Sequence, residues 1–230
     1  MMIVSFERRF IFLRTMKTGS TSVELALAQL CGPEDILTNV SRFEAHRRGR
    51  GEQNNIVPLD TVPFWSRIAW AFGMDAKKAG IQLPNHAYAK TVRRLVTAEQ
   101  WASFTKITIE RNPWDREVSH YLYRKRNGKE SGSFAQFVSR GWRRRTIPNF
   151  DIYAIGGQIV ADEVMRFENL SADFDAVMQR LGIQAPPRLA HLNVSRPGEK
   201  PDYRGYYDDT TRATVARRYA REIEAFGYTF

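Results

Sequence analysis

One cysteine, Cys31, stands in 230 residues, so no intrachain disulfide can form and the fold does not depend on an oxidising compartment. It follows an amphipathic segment ending near Leu30, where a small buried residue is a simpler reading than a nucleophile. Long apolar runs are missing as well, and nothing approaches the roughly 20 residues of a membrane span. The N-terminal MMIVSFERRFIFLR is interrupted by Glu7, Arg8 and Arg9 and lacks the apolar core and cleavage site of a signal peptide, so a cytoplasmic protein is expected. Acidic side chains are in deficit, 25 against 35 Lys and Arg, and the net charge of +10 calls for an anionic partner. Nucleic acid, anionic lipid, acidic glycan and a polyphosphate all qualify. No repeat, low-complexity tract, zinc-ligand spacing or RNP motif is present, which leaves little support for a nucleic-acid module. With 43% apolar residues the chain can bury one core, and a single domain over 1–230 is expected.

What is present alternates between short apolar runs and helical patterns. FIFLR (10–14) reads as a strand covered on both faces. Val23, Ala26, Leu27 and Leu30 then recur at helical spacing until Gly32-Pro33. HAYAKTVRRLV (86–96) reads as a short helix and KITIE (106–110) as a second strand. Asn112 and Pro113 suit the N-cap and first position of a helix that follows it. EVMRFENL (163–170) suggests a third strand, with a helix through Phe174, Val177 and Leu181 that Gly182 could end. Val215, Tyr219, Glu222, Ile223 and Phe226 mark a mostly apolar stripe on a basic tail helix. The expected fold is α/β, three layers with a P-loop-like arrangement and a central, mainly parallel sheet. The segment 34–82 is the least legible, with the polar loop HRRGRGEQNN and an aromatic stretch, VPFWSRIAWAFGM, that could be helical.

At the end of the first strand stands LRTMKTGSTSVE. Free backbone N–H groups at a helix start attract an oxyanion, Gly19 permits close approach and the hydroxyls add donors. In a Walker A loop the lysine comes last, just before Ser or Thr. Here Lys17 precedes Thr18, Gly19, Ser20 and Thr21. A capped helix with an exposed lysine before it would look the same in this stretch alone, but the end of a buried strand is where open α/β sheets place ligands.

A second motif, RNPWDREVSHY (111–121), puts Arg111 at the end of the second strand and Ser119 in the helix beyond. A guanidinium and a hydroxyl can share one phosphate. Taken together, KTGSTS and RNPWDREVSHY resemble the motifs of the PAPS-dependent sulfotransferases, which use 3′-phosphoadenosine 5′-phosphosulfate. RFENL (166–170) and the tail HLNVSRPGEKPDYRGYYDD with FGYTF resemble the carbohydrate-type branch. The resemblance runs in pieces over nearly the whole chain and is weakest across 34–82, which it marks as a variable, acceptor-side insertion.

By this resemblance Lys17, Thr18, Gly19, Ser20 and Thr21 would hold the 5′-phosphosulfate, and Arg111 and Ser119 the 3′-phosphate. Arg196 and Lys200, in SRPGEKPDY, would lie over the nucleotide. The transferred sulfuryl group carries less charge than a phosphoryl group, and no Walker B-type carboxylate pattern is present, so no metal is expected. The acceptor would be a hydroxyl, less readily an amine, of a glycan or glycolipid. Transfer needs a general base, for which His86, in LPNHAYAK, matches a family histidine in position, and an imidazole suits the task. Glu110 is the second candidate, although strand alternation could turn it away. His120 should pack, since it points about 100° away from Ser119 on a helix. His46 and His191 lie in loops that could approach acceptor and nucleotide, and Glu168 reads as structural. Trp114 could lie by the adenine or in a core. A bacterial enzyme is expected. The rival readings are a P-loop small-molecule kinase and a non-catalytic nucleotide- or nucleic-acid-binding protein.

Overall fold

The computed structural model describes residues 2–38, 51–57, 62–75, 79–140, 149–190 and 202–230. Its frame is a five-stranded sheet of β1 (Ile3–Ser5), β2 (Phe10–Leu13), β3 (Ile36–Leu37), β4 (Thr105–Glu110) and a last strand, Glu163–Arg166, in the spatial order β3, β1, β2, β4, Glu163–Arg166. β2, β4 and the last strand are mutually parallel, whereas β1 pairs antiparallel with both β2 and β3. Four of the five strands therefore run in one direction, and the sheet is mainly parallel as expected. β1 was not separable in the sequence: it forms a hairpin with β2 through a turn at residues 6–9, where Arg9 adopts φ 54°.

Continuous burial of β2 follows from cover on both faces. Phe10 and Phe12 face one side, with Ile3, Ile107 and Ile109, and meet α1 (Ser20–Ala28) through Val23, Ala26 and Leu27. Ile11 and Leu13 face the other, with Met2 and Val4. There they meet α3 (Ala89–Val92), which follows α2 (Phe64–Ala71), and Phe104 beyond α4 (Ala98–Ser103). The layers are helix, sheet and helix. The helix expected over 86–96 shrinks to α3, because residues 94 and 95 tighten onto the carbonyls three back and Thr97 already caps α4.

The helix after β4 is α5 (Pro113–Arg126), opened as expected: the Asn112 side chain accepts from the Trp114 N–H at 3.0 Å and Pro113 occupies the first turn. After α6 (Phe134–Ser139) and α7 (Phe150–Tyr153), a small ribbon of β5 (Ala154–Ile155) and β6 (Gln158–Ile159) leads into the last strand, now β7. The third strand ends at Arg166, earlier than the run to Leu170 suggested, and a short 3₁₀ turn precedes α8 (Leu170–Arg180). Gly182, at φ 70°, closes α8: its N–H reaches the Gln179 carbonyl while that of Ile183 reaches Met178.

The tail is two helices, α9 (Asp209–Arg218) and α10 (Ala220–Phe226), where one was expected. Tyr219 breaks the run because its hydroxyl donates to Glu117 at 2.8 Å and its ring lies under Arg116, so packing against α5 overrides the helical period. Trp114, Val118 and Tyr121 of α5 join Val215, Tyr219 and the terminal Phe230 in a third apolar cluster.

Candidate active site

β2, β4 and β7 end on the same side of the sheet, and the three loops that follow them meet there. A ligand crevice forms at this kind of edge because helix N-termini and unpaired backbone converge on it. The first loop carries the lysine. Lys17 adopts φ 61°, a left-handed conformation costing a non-glycine residue on the order of 1–2 kcal/mol, and Gly19 follows at φ 72° as the N-cap of α1. That strain persists because the surroundings hold the loop. Asn149, buried and remote in sequence, brackets Met16: its Oδ1 accepts from the Met16 N–H at 2.9 Å and its Nδ2 donates to the Met16 carbonyl at 3.0 Å. Arg111 donates to the Lys17 carbonyl at 3.0 Å.

The hydroxyls of this loop work mainly on the loop itself. Those of Thr15 and Thr18 are bonded to each other at 2.8 Å, and the Ser20 hydroxyl donates to the Thr15 carbonyl at 2.9 Å. Arg14 donates to both Ser20 and Thr21 and pairs with buried Glu24 at 2.9 Å. What the loop offers an anion is therefore chiefly its main chain: the N–H groups of Lys17, Thr18, Gly19 and Ser20 meet no acceptor among the described residues. A side chain on Gly19 would meet the Phe167 ring at 3.1 Å in addition to its positive φ, so glycine is required by both conformation and space.

Lys17 lies over the Tyr123 ring at 4.3 Å. Burial, and then Arg111, Arg126 and Arg14, lower its pKa to about 8. Cations gathered against their mutual repulsion complement a multiply charged anion. Arg111 is buried, donates to Asp115 through Nε at 3.0 Å and Nη2 at 2.8 Å, and lies 4.0 Å from the Phe167 ring centre. Among the described residues three of its five N–H groups are thus engaged, which fixes the plane of the guanidinium. Ser119, half-buried, sits one turn beyond Asp115 on the same side of α5.

Strand alternation separates the neighbours Glu110 and Arg111 sharply. Glu110 is fully buried on the opposite face, where Tyr153 donates to it at 2.8 Å and Arg116 at 2.9 Å. The backbone N–H of Arg111 also donates to it at 2.9 Å, and burial raises its pKa. A carboxylate enclosed by three donors is a structural hub, so the geometry speaks against Glu110 as a base. Glu168 accepts from the Asn112 N–H at 2.7 Å and ties the β7 loop to the β4 loop, the structural part expected of it. Trp114 is a core residue, its Nε1–H bonded to the Arg212 carbonyl at 3.2 Å.

His86 reaches the same edge from the other side. Its Nδ1 lies 3.0 Å from the Arg14 carbonyl, which can only accept, so Nδ1 carries the proton and Nε2 is the basic nitrogen of the neutral ring. His120 packs edge-on against Phe137, as expected, and burial followed by Lys17, Arg124 and Arg116 lowers its pKa to about 4. It also lines, with Lys17, Met16, Asn149 and Tyr219, a cavity of about 20 Å³ beneath the loop, which is room for about one water. Arg196, Lys200, His46 and His191 lie outside the described residues.

The structure thus brings Lys17 to Thr21, Arg111 and His86 to one edge of the sheet. Asn149, Asp115 and Phe167 were not singled out in the sequence. Asp115 had a readable signal, four residues from Arg111 with opposite charge; Asn149, 133 residues from Met16, had none.

The profile of the sulfotransferase family matches residues 1–229, and the chain belongs to that family. An uncharacterized protein of Archaeoglobus fulgidus is 32% identical over 96 residues, 40% of this chain and 79% of that protein. The crystal structure of a sulfotransferase from Alicyclobacillus acidocaldarius is similar at a TM-score of 0.47 and 17% identity, covering 95% of this chain and 96% of that one.

Proposed function

We propose that the protein transfers the sulfuryl group of PAPS to a hydroxyl of a glycan or glycolipid-type acceptor, with residues 1–230 working as one domain. The observation that carries this reading is the strained Lys17–Gly19 loop, whose N–H groups meet no acceptor among the described residues and whose lysine is crowded by arginines beside Arg111. Lys17 and the main chain of Thr18, Gly19, Ser20 and Thr21 hold the 5′-phosphosulfate, and Arg111 and Ser119 hold the 3′-phosphate, with Arg196 and Lys200 assigned to the nucleotide from the family pattern. The donor supplies the sulfuryl group. Lys17 neutralises charge growing on the departing phosphate, and His86 Nε2 accepts the proton of the acceptor hydroxyl, oriented by the Nδ1–H bond to the Arg14 carbonyl. The glycan assignment rests on the likeness of the tail and RFENL motifs and on the excess of basic side chains.

The test is a thermal shift with adenosine 3′,5′-bisphosphate, ATP and a DNA oligonucleotide, since a ligand of the native state raises the melting temperature. Stabilisation by the bisphosphate alone is expected. A response to ATP or DNA with none to the bisphosphate overturns the donor assignment. A labelled donor screened against saccharides and glycolipids then identifies the acceptor.

A further inference from the structure

Between Ile56 and Gln82 the chain leaves the body and returns. The two residues form an antiparallel bridge, and the Val57 N–H donates to the Ile81 carbonyl at 2.8 Å. The excursion carries α2, packed on it by Trp70 against a small cluster of Val62, Ala79 and Ile81. On the opposite side of α2 Phe64 is 60% exposed and Trp65 76%, and Phe72 at its C-cap is 88% exposed. At about 100° per residue, Phe64, Trp65, Ile68 and Phe72 fall within one arc of about 100°, and Trp70 points away from it. Isolated exposed apolar residues are ordinary, but three exposed aromatic rings, Phe64 and Trp65 on α2 and Phe72 at its C-cap, with half-buried Ile68 between them, form a patch that calls for an explanation.

We propose that α2 is an interfacial anchor that lays this aromatic face into the headgroup region of an anionic membrane. Three observations select that occupant. The patch is aromatic, and Trp and Phe favour the boundary between headgroups and acyl chains. Exposed Arg67 flanks it, with its guanidinium 5.9 Å from the Phe64 ring, and the chain as a whole carries +10, which complements anionic lipid. The returning strand also leads directly to the active site: Gln82 precedes His86 by four residues, at most about 14 Å of chain. No helix among the described residues is long and apolar enough to cross a membrane, and the contact proposed for α2 is a peripheral one. Combined with the sulfuryl-transfer reading, on which this consequence rests, the acceptor hydroxyl is presented to His86 at a lipid surface.

The experiment is vesicle flotation of the whole chain, and of W65S combined with F72S, on phosphatidylcholine alone and on phosphatidylcholine with roughly a third phosphatidylglycerol. Sedimentation velocity and the bisphosphate thermal shift accompany it. The wild type is expected to float with the anionic vesicles only, and the double variant to bind them about tenfold or more weakly while keeping its bisphosphate shift. Failure of the wild type to float, equal binding to neutral vesicles, or undiminished binding by the variant each overturns the proposal. A wild-type dimer that the variant loses, without flotation, assigns the face to self-association and overturns it too. An absent bisphosphate shift in the wild type with flotation intact would instead strike the sulfuryl-transfer reading alone.

Discussion

Around Arg14 to Ser20 the loop is tied from several directions, by Asn149 on Met16, by Arg111 on Lys17 and by Arg14 on two hydroxyls. Between Ile56 and Gln82 the described residues include an antiparallel bridge and a cluster of a few apolar residues, with three aromatic side chains exposed. The first region stores strain, which requires neighbours that leave the backbone no alternative. The second shows, among its described residues, a small apolar cluster of Val62, Ala79 and Ile81 and three exposed aromatic rings. On the proposed function the two regions divide the work. A donor with invariant charges is met by rigid main chain, and an acceptor is met by a segment that can vary without disturbing the sheet.

The most severe way to break the donor region is Lys17→Ala, for which transfer is expected to fall by about 10²–10³-fold, as when a group aimed at developing charge is removed. Turnover of labelled donor, with circular dichroism to confirm folding, measures it, and wild-type turnover would remove Lys17 from its role.

Asn149→Ala tests whether the loop is held from outside. It leaves the Met16 N–H and carbonyl without their partner, so a loss of about 2 kcal/mol is expected, lowering the melting temperature by roughly 4–8 °C. Because the strained loop relaxes, the bisphosphate Kd should rise as well. A variant that melts earlier but binds the bisphosphate unchanged would show that Asn149 supports the core and not the loop.

Acidity gives a third lever. With its pKa lowered to about 8, Lys17 is charged below that pH and neutral above it, and a bound anion raises the value again. Bisphosphate affinity should therefore be flat below about pH 8 and weaken by up to about tenfold per pH unit above it, as binding takes up a proton. Calorimetry across this range checks it, and Lys17→Met should flatten the profile. In the unliganded protein the sign for stability is opposite to that of a salt-bridged lysine. The unfolded chain keeps the lysine proton up to its ordinary value of 10.5, so Lys17 weighs against folding below about pH 8 and that burden lifts as the pH rises.

The smallest effect is expected on the other side of the comparison. Trp65→Ser with Phe72→Ser should leave the melting temperature within about 1 °C, because both side chains lie at the surface. A drop of several degrees would mean that α2 is packed more firmly than its exposure indicates.

Local signals made much of this legible. The strand–loop–helix units at FIFLR and KITIE, the Asn112-Pro113 helix start and the Gly182 stop all depend on neighbours in sequence, and all appear in the structure where they were read. Readings that failed depended on distant partners. β1 is a strand because β2 and β3 flank it, the tail breaks at Tyr219 because Glu117 and Arg116 hold that side chain, and α3 is short because Thr97 starts another helix. Asn149 belongs to the same class, an ordinary amide whose two bonds span most of the chain.

By itself, then, the sequence determined the strand–loop–helix units at FIFLR and KITIE, the anion loop with its early lysine and the arginine motif that answers it, because periodicity, caps and glycine positions are set within a few residues. Only the tertiary structure decided that Glu110 turns into a buried hub while Arg111 turns to the site. It also decided that Lys17 is strained and its pKa depressed, and that His86 meets the loop through the Arg14 carbonyl. Each of these depends on which groups the fold brings together: hydrogen bonds act at about 3 Å, while burial and neighbouring charges shift a pKa over several ångströms.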